Sequence, residues 1–103
     1  MKVAYVCAND MKSKVQKIIE TEPPGIVKIS FVRKGYDFKE GKPYGVEGWV
    51  LIFGGDDHEF VKWAEEQLGE LVKKLPADKT HHIADAIKKE QDAASEGFGA
   101  IFG

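Results

Sequence analysis

The sequence predicts an α/β domain, a small three-layer sandwich in the order β-α-β-β-α-α around a mostly parallel sheet. Two continuous apolar runs, Val3 to Ala8 and Trp49 to Phe53, are rich in β-forming residues and have no polar face, as strands covered on both sides require. Apolar residues at helical spacing follow each run. The length of 103 residues, with 43% hydrophobic and 31% charged, suits one core under an ionised surface.

The first strand covers Val3 to Ala8. Asn9 and Asp10 supply helix-capping chemistry, and Met11, Val15, Ile18 and Ile19 recur on one helical face as far as Glu22-Pro23-Pro24-Gly25, which stops the helix. From Ile26 to Arg33, the apolar Val27, Ile29 and Phe31 alternate with Lys28 and Ser30, the pattern of an edge strand with one wet face. The third strand, Trp49 to Phe53, ends at Gly54-Gly55. Asp56 and Glu59 form a variant capping box ahead of a stripe of Phe60, Ala64, Leu68, Leu71, Val72 and Leu75, so the second helix is expected to reach Leu75, just before Pro76. A third helix is expected to begin between Asp78 and Thr80. It carries Ile83, Ala86, Ile87, Glu90 and Ala94 on one side, a thin, alanine-rich core face. The glycine-interrupted stretch 97–103 lacks helical character in this reading and is expected to be an edge strand, a packed tail or a partner-binding segment.

The segment from Lys34 to Gly48 decides the topology. As a long connection, it gives a parallel sheet with the first strand between the second and third, order 2-1-3. If Lys39-Glu40-Gly41-Lys42 is instead the tip of a hairpin, the second and third strands pair antiparallel and the fold is α+β. Parallel sheets favour strands buried on both faces, and the first arrangement is preferred on that ground.

In an open parallel sheet, ligands bind beyond the carboxyl ends of strands whose connections diverge. That crevice would bring Cys7, Asn9 and Asp10 toward Gly54, Gly55, Asp56, Asp57 and His58, at two helix N-termini. Asn9, Gly54 and Gly55 are the candidate ligand contacts, and Asp10, Asp56, Asp57 and His58 could supply oxygen and imidazole donors to a divalent cation. Capping accounts for one acidic residue per helix, which leaves others available. Cys7 reads first as an inert core thiol and second as a nucleophile or sulfur carrier activated at a helix mouth. His81 and His82 match no zinc spacing, and Gly54-Gly55 falls short of both nucleotide-binding patterns.

The run Val6-Cys7-Ala8-Asn9-Asp10-Met11-Lys12-Ser13 resembles the phosphocysteine loop of lactose- and cellobiose-type IIB subunits of sugar phosphotransferase systems. Cys7, Ala8, Met11 and Ser13 match; the resemblance implies a phosphate-accepting Cys7 in a small α/β protein. Asp10 stands where that family has glycine, and Lys12 and Lys14 replace small or hydroxyl residues. The match covers eight residues and is not extended to the chain.

The formal net charge of −2 disfavours nucleic acid as a partner, although Arg33, Lys34, Lys39 and Lys42 interleave with Tyr36, Phe38 and Tyr44. A single cysteine, no leader pattern and no apolar run of membrane-spanning length make the cytosol the expected compartment. Abundant Lys and Glu with few Asn and Gln give a thermophile-like composition. The expected role is a small-ligand- or divalent-metal-binding accessory domain. The alternatives are a Cys7-dependent group-transfer protein and an interaction module using its C-terminal tail, with a protein partner or a second copy of the chain.

Overall fold

The two apolar runs become the two inner strands of the sheet. The computed structural model describes residues 1–21 and 30–102, with side chains described as far as residue 93. β1 (Lys2–Cys7) pairs with β3 (Trp49–Gly54), and β2 (Asp37–Glu40) and β4 (Lys73–Lys74) flank them in the order β2-β3-β1-β4. Every pairing is antiparallel, which corrects the expected parallel 2-1-3 sheet. The class is α+β, as in the alternative reading, but the hairpin is built from other residues: its first strand is Asp37–Glu40, not Ile26 to Arg33, and Lys39 and Glu40, expected at the tip, lie in the strand. β1 and β2 do run in the same direction, but β3 returns between them instead of extending the sheet on the far side of β1.

The hairpin closes over a 3-10 turn at Lys42–Tyr44, with the Gly41 amide donating to the Gly48 carbonyl at 2.8 Å. Gly48 has φ +95, and a Cβ there would fall on the carbonyl oxygen of Cys7, so the chain passes β1 closely only because this residue has no side chain.

Alternation along the strands sends side chains to two different layers. Tyr5, Cys7, Leu51 and Phe53 face α1 (Lys12–Glu20), α2 (Phe31–Lys34) and α3 (His58–Leu68), whose Val15, Ile19, Phe31, Phe60, Ala64 and Leu68 complete that core. Ala4, Val50 and Ile52 face α4 (Ala77–Phe102), which adds Ile83 and Ile87, while the hairpin adds Tyr44 and Val46. Helices therefore cover both faces, as the unbroken apolar strands require.

The first core is strongly aromatic. Phe31 meets Phe60 and Trp63 with ring centroids 5.4 Å away and Phe53 at 5.7 Å. The predicted edge strand at Ile26 to Arg33 is corrected here: residues 26–29 lie outside the described residues, and from Phe31 the backbone is helical. Ser30 is the reason, since its buried hydroxyl accepts from the Arg33 amide at 3.1 Å and caps α2.

α3 starts one residue later than the capping box suggested. Asp57, not Asp56, is the cap, accepting from the Phe60 amide at 3.1 Å. The helix ends at Leu68 rather than Leu75, because Gly69 takes φ 52 and the chain passes through a 3-10 turn into β4. Leu75 then crosses to the other layer, its amide donating to the Ala4 carbonyl at 2.9 Å. α4 follows and stays helical to Phe102, correcting the non-helical tail. Phe98, Ile101 and Phe102 are spaced i, i+3 and i+4, and Gly97 and Gly99 each cost only about 1 kcal/mol in a helix. The side-chain packing of that stretch lies outside the described residues. Among the described residues, no helix is long and apolar enough to cross a membrane.

Glu90 fastens α4 to the hairpin, accepting from the Tyr44 hydroxyl at 2.9 Å and lying 3.6 Å from Lys39 Nζ. Burial first, then the bond and charge of Glu90, push the Tyr44 pKa up to about 12.

Two predictions follow from the hairpin. Gly48→Ala should cost about 2–4 kcal/mol by denaturant melting, through the carbonyl clash and a left-handed φ. Gly45→Ala has open space at φ 72 and should cost only about 1 kcal/mol. The Tyr44 contribution to stability should be fully present below the unfolded-state pKa of about 10 and be lost as pH rises through about 12. Tyr44→Phe should flatten that alkaline arm of the stability profile.

Candidate functional site

The antiparallel register separates the expected site into two halves. Cys7 pairs with Trp49 and Lys2 with Gly54, so Cys7, Asn9 and Asp10 emerge at one end of the sheet and Gly54 to His58 at the other. Five residue steps of strand put roughly 17 Å between them. The premise that these groups share a crevice is corrected accordingly. Apolar strands without a wet face are compatible with either strand direction, because helices cover both faces of this antiparallel sheet.

At the first end, Asn9 and Asp10 are exposed in a 3-10 turn, Asn9–Met11, whose cap uses no side chain. Cys7 lies beneath a shallow depression of about 480 Å³ shared with Asn9, Glu47 and Lys73, yet its own surface is only 2% exposed. Burial pushes the thiol pKa up, partly offset by a backbone hydrogen bond with Trp49. This is the reverse of the activation that a nucleophile, sulfur carrier or phosphocysteine needs at neutral pH.

At the second end, both candidate aspartates already have a partner. Asp56 holds the Met1 ammonium at 3.0 Å. Asp57 binds Lys34 Nζ at 2.7 Å while it caps α3; the Lys34 bond, then the Phe60 amide, holds its carboxyl below the usual range. Lys34 also lies 5.7 Å from the Phe60 ring centroid, so the pair ties α2 to α3. The Gly55 amide donates to the Met1 carbonyl at 2.7 Å, and Gly54 ends the strand. His58 opens α3 and is exposed. Among the described residues, no three His, Cys, Asp or Glu side chains gather as a metal site would require.

The prominent concavity lies elsewhere. Between α4 and the sheet is a cleft of about 820 Å³, floored by Ile52, Leu75, Ala84 and Ile87. Positions 77, 80, 81, 84, 88 and 91 of α4 line it as one helical stripe, and Lys2, Lys74 and Asp37 reach its rim from the sheet. On that stripe Thr80 is buried and Ala84 half-buried, while Ala77 at its head is exposed. Thr80 satisfies its own hydroxyl by donating to the Pro76 carbonyl at 2.9 Å, leaving that wall without a buried orphan donor. Of the face predicted for the last helix, Ile83, Ala86, Ile87, Glu90 and Ala94, only Ile87 lines the cleft; the stripe through Thr80 and Ala84 carries no signal in the sequence.

No family model, curated protein or solved structure matches the chain.

Cys7 should therefore resist a thiol reagent in the native state and react at the rate of unfolding, becoming fast only in denaturant. Rapid native labelling near neutral pH, measured by mass spectrometry, would instead revive the transferase reading.

Proposed function

We propose that the protein is a small-ligand-binding domain whose site is the cleft between α4 and the sheet. The observation supporting this is an 820 Å³ concavity with an apolar floor in a domain whose opposite layer is filled with aromatic rings. Protein interiors pack to crystal density, and space of this size is normally closed by larger side chains. Here alanines and a threonine stand where leucines would fill it.

The cleft has the size and composition of small-molecule sites: several hundred Å³, mostly apolar, with a few polar groups around the mouth. Its walls come from β1, β3, the residues around β4 and α4, so it exists only in the folded protein, and a ligand held there stabilises the fold by mass action. The binding role proposed from the sequence thus moves from the ends of two strands to one face of the sheet.

A neutral apolar dye such as N-phenylnaphthylamine should bind saturably, with fluorescence enhancement and a rise in melting temperature. Ala84→Trp, which fills the floor, should abolish the enhancement while a cooperative melt shows that the fold persists. If the wild-type protein gives no saturable signal at any dye concentration below its solubility limit, the cleft is not a ligand site.

A further inference from the structure

Resting on that reading, the shape of the cleft and the charge at its mouth indicate what kind of ligand it takes. Asp37, Ile52 and Ala4 are paired at one level across β2, β3 and β1, and the Leu75 amide on the Ala4 carbonyl carries the same row to the β4 side. Three strand spacings of about 4.8 Å make this row roughly 14 Å long. Over it lies the stripe of α4 from Ala77 to Gln91, which at about 1.5 Å per residue runs roughly 21 Å. A volume of about 820 Å³ spread over such a length is a trough across the whole sheet, a few atoms wide, and not a round pocket.

The charges at the mouth cancel. Lys2 and Lys88 stand against Asp37 and Asp85, with Asp85 3.2 Å from Lys89 Nζ. Lys74 borders the cleft, but it pairs with Tyr5 and belongs to the α3 face beside Glu65 and Glu66. Inside, Thr80 gives its hydroxyl to the Pro76 carbonyl, and among the described residues the buried side-chain polar atom without a partner within ordinary distance, the Tyr5 hydroxyl, lies in the other layer. A charged head of either sign would therefore give up water at the floor and meet no surplus of opposite charge at the rim. We propose that the cleft binds an extended, uncharged aliphatic chain laid along α4 and across the four strands. Carbon–carbon bonds of about 1.5 Å meeting near 111° advance about 1.25 Å each, so the trough accommodates about 12 to 18 carbons.

Straight-chain alcohols serve as probes, read by displacement of the neutral dye below each alcohol's solubility limit. Affinity should rise steadily from octanol through decanol and dodecanol to tetradecanol, about two- to fourfold for each added carbon, because each finds more apolar wall to cover. Cyclododecanol holds the carbons of dodecanol in a compact ring and covers less of the trough, so it should bind about tenfold weaker. Dodecanoate and dodecyltrimethylammonium, below micelle formation, should both bind several-fold weaker than dodecanol.

Melting-temperature shifts locate the chain without the dye: dodecanol and tetradecanol should stabilise the wild-type protein and leave Ala84→Trp unshifted, and an equal shift in both proteins overturns the placement in the trough. An affinity that stops rising at octanol, cyclododecanol bound as tightly as dodecanol, or either ion bound tighter than the alcohol overturns the assignment of an extended uncharged chain and leaves the cleft as a ligand site. Failure of every probe, the neutral dye included, overturns both.

Discussion

Everything else in the molecule is arranged around the antiparallel ladder between β1 and β3. Its six paired positions, Lys2 with Gly54 through Cys7 with Trp49, join the opening of the chain to its middle, and the central pairs Ala4 with Ile52 and Tyr5 with Leu51 are fully buried. The ladder fixes which residues face which layer. A slip of β1 by one residue would send Tyr5 and Cys7 into the α4 layer and take them out of the aromatic core. It also fixes the two ends of the sheet, which is why the groups following β1 and those following β3 do not meet.

The two faces of that ladder are packed by different means. On one, Phe31, Phe53, Phe60 and Trp63 interlock edge to face or tilted at centroid separations below 6 Å, and little room is left. On the other, among the described residues, Ile83 and Ile87 are the buried apolar side chains of α4, with the smaller Thr80, Ala84 and Ala86 beside them. A cleft of several hundred Å³ is the result of that asymmetry. The Tyr5 hydroxyl marks the cost of the denser side: among the described residues it is buried without a hydrogen-bond partner within ordinary distance, and burial first, then the nearby Glu65 carboxylate, push its pKa up to about 12.

What was legible in the sequence were the elements whose patterns agree with their surroundings. β1 and β3 read correctly from unbroken apolar runs, and the Val15 and Ile19 face of α1 from its spacing. The edge elements did not read. β2 is Asp-Phe-Lys-Glu and β4 is Lys-Lys, sequences that pass for loop because an edge strand needs few apolar residues and tolerates charge. α2 was hidden by the alternation of Val27, Ile29 and Phe31, although the capping residue Ser30 and the stop at Gly35 were present. Strand direction was invisible for a simple reason. A strand covered by helices on both faces has the same composition whether its neighbours run with it or against it, and only the short hairpin through Gly41 and Gly48 distinguishes the cases.

The fastening of α4 has a mechanical consequence. Its approach is held at one point by the Leu75 amide on Ala4, and further along by Glu90 on the Tyr44 hydroxyl, with Ile83 and Ile87 seated between. These points define a line running beside the cleft. The wall and the floor of the cleft therefore belong to separate elements joined along a seam, and the contacts that hold the seam set the width of the mouth.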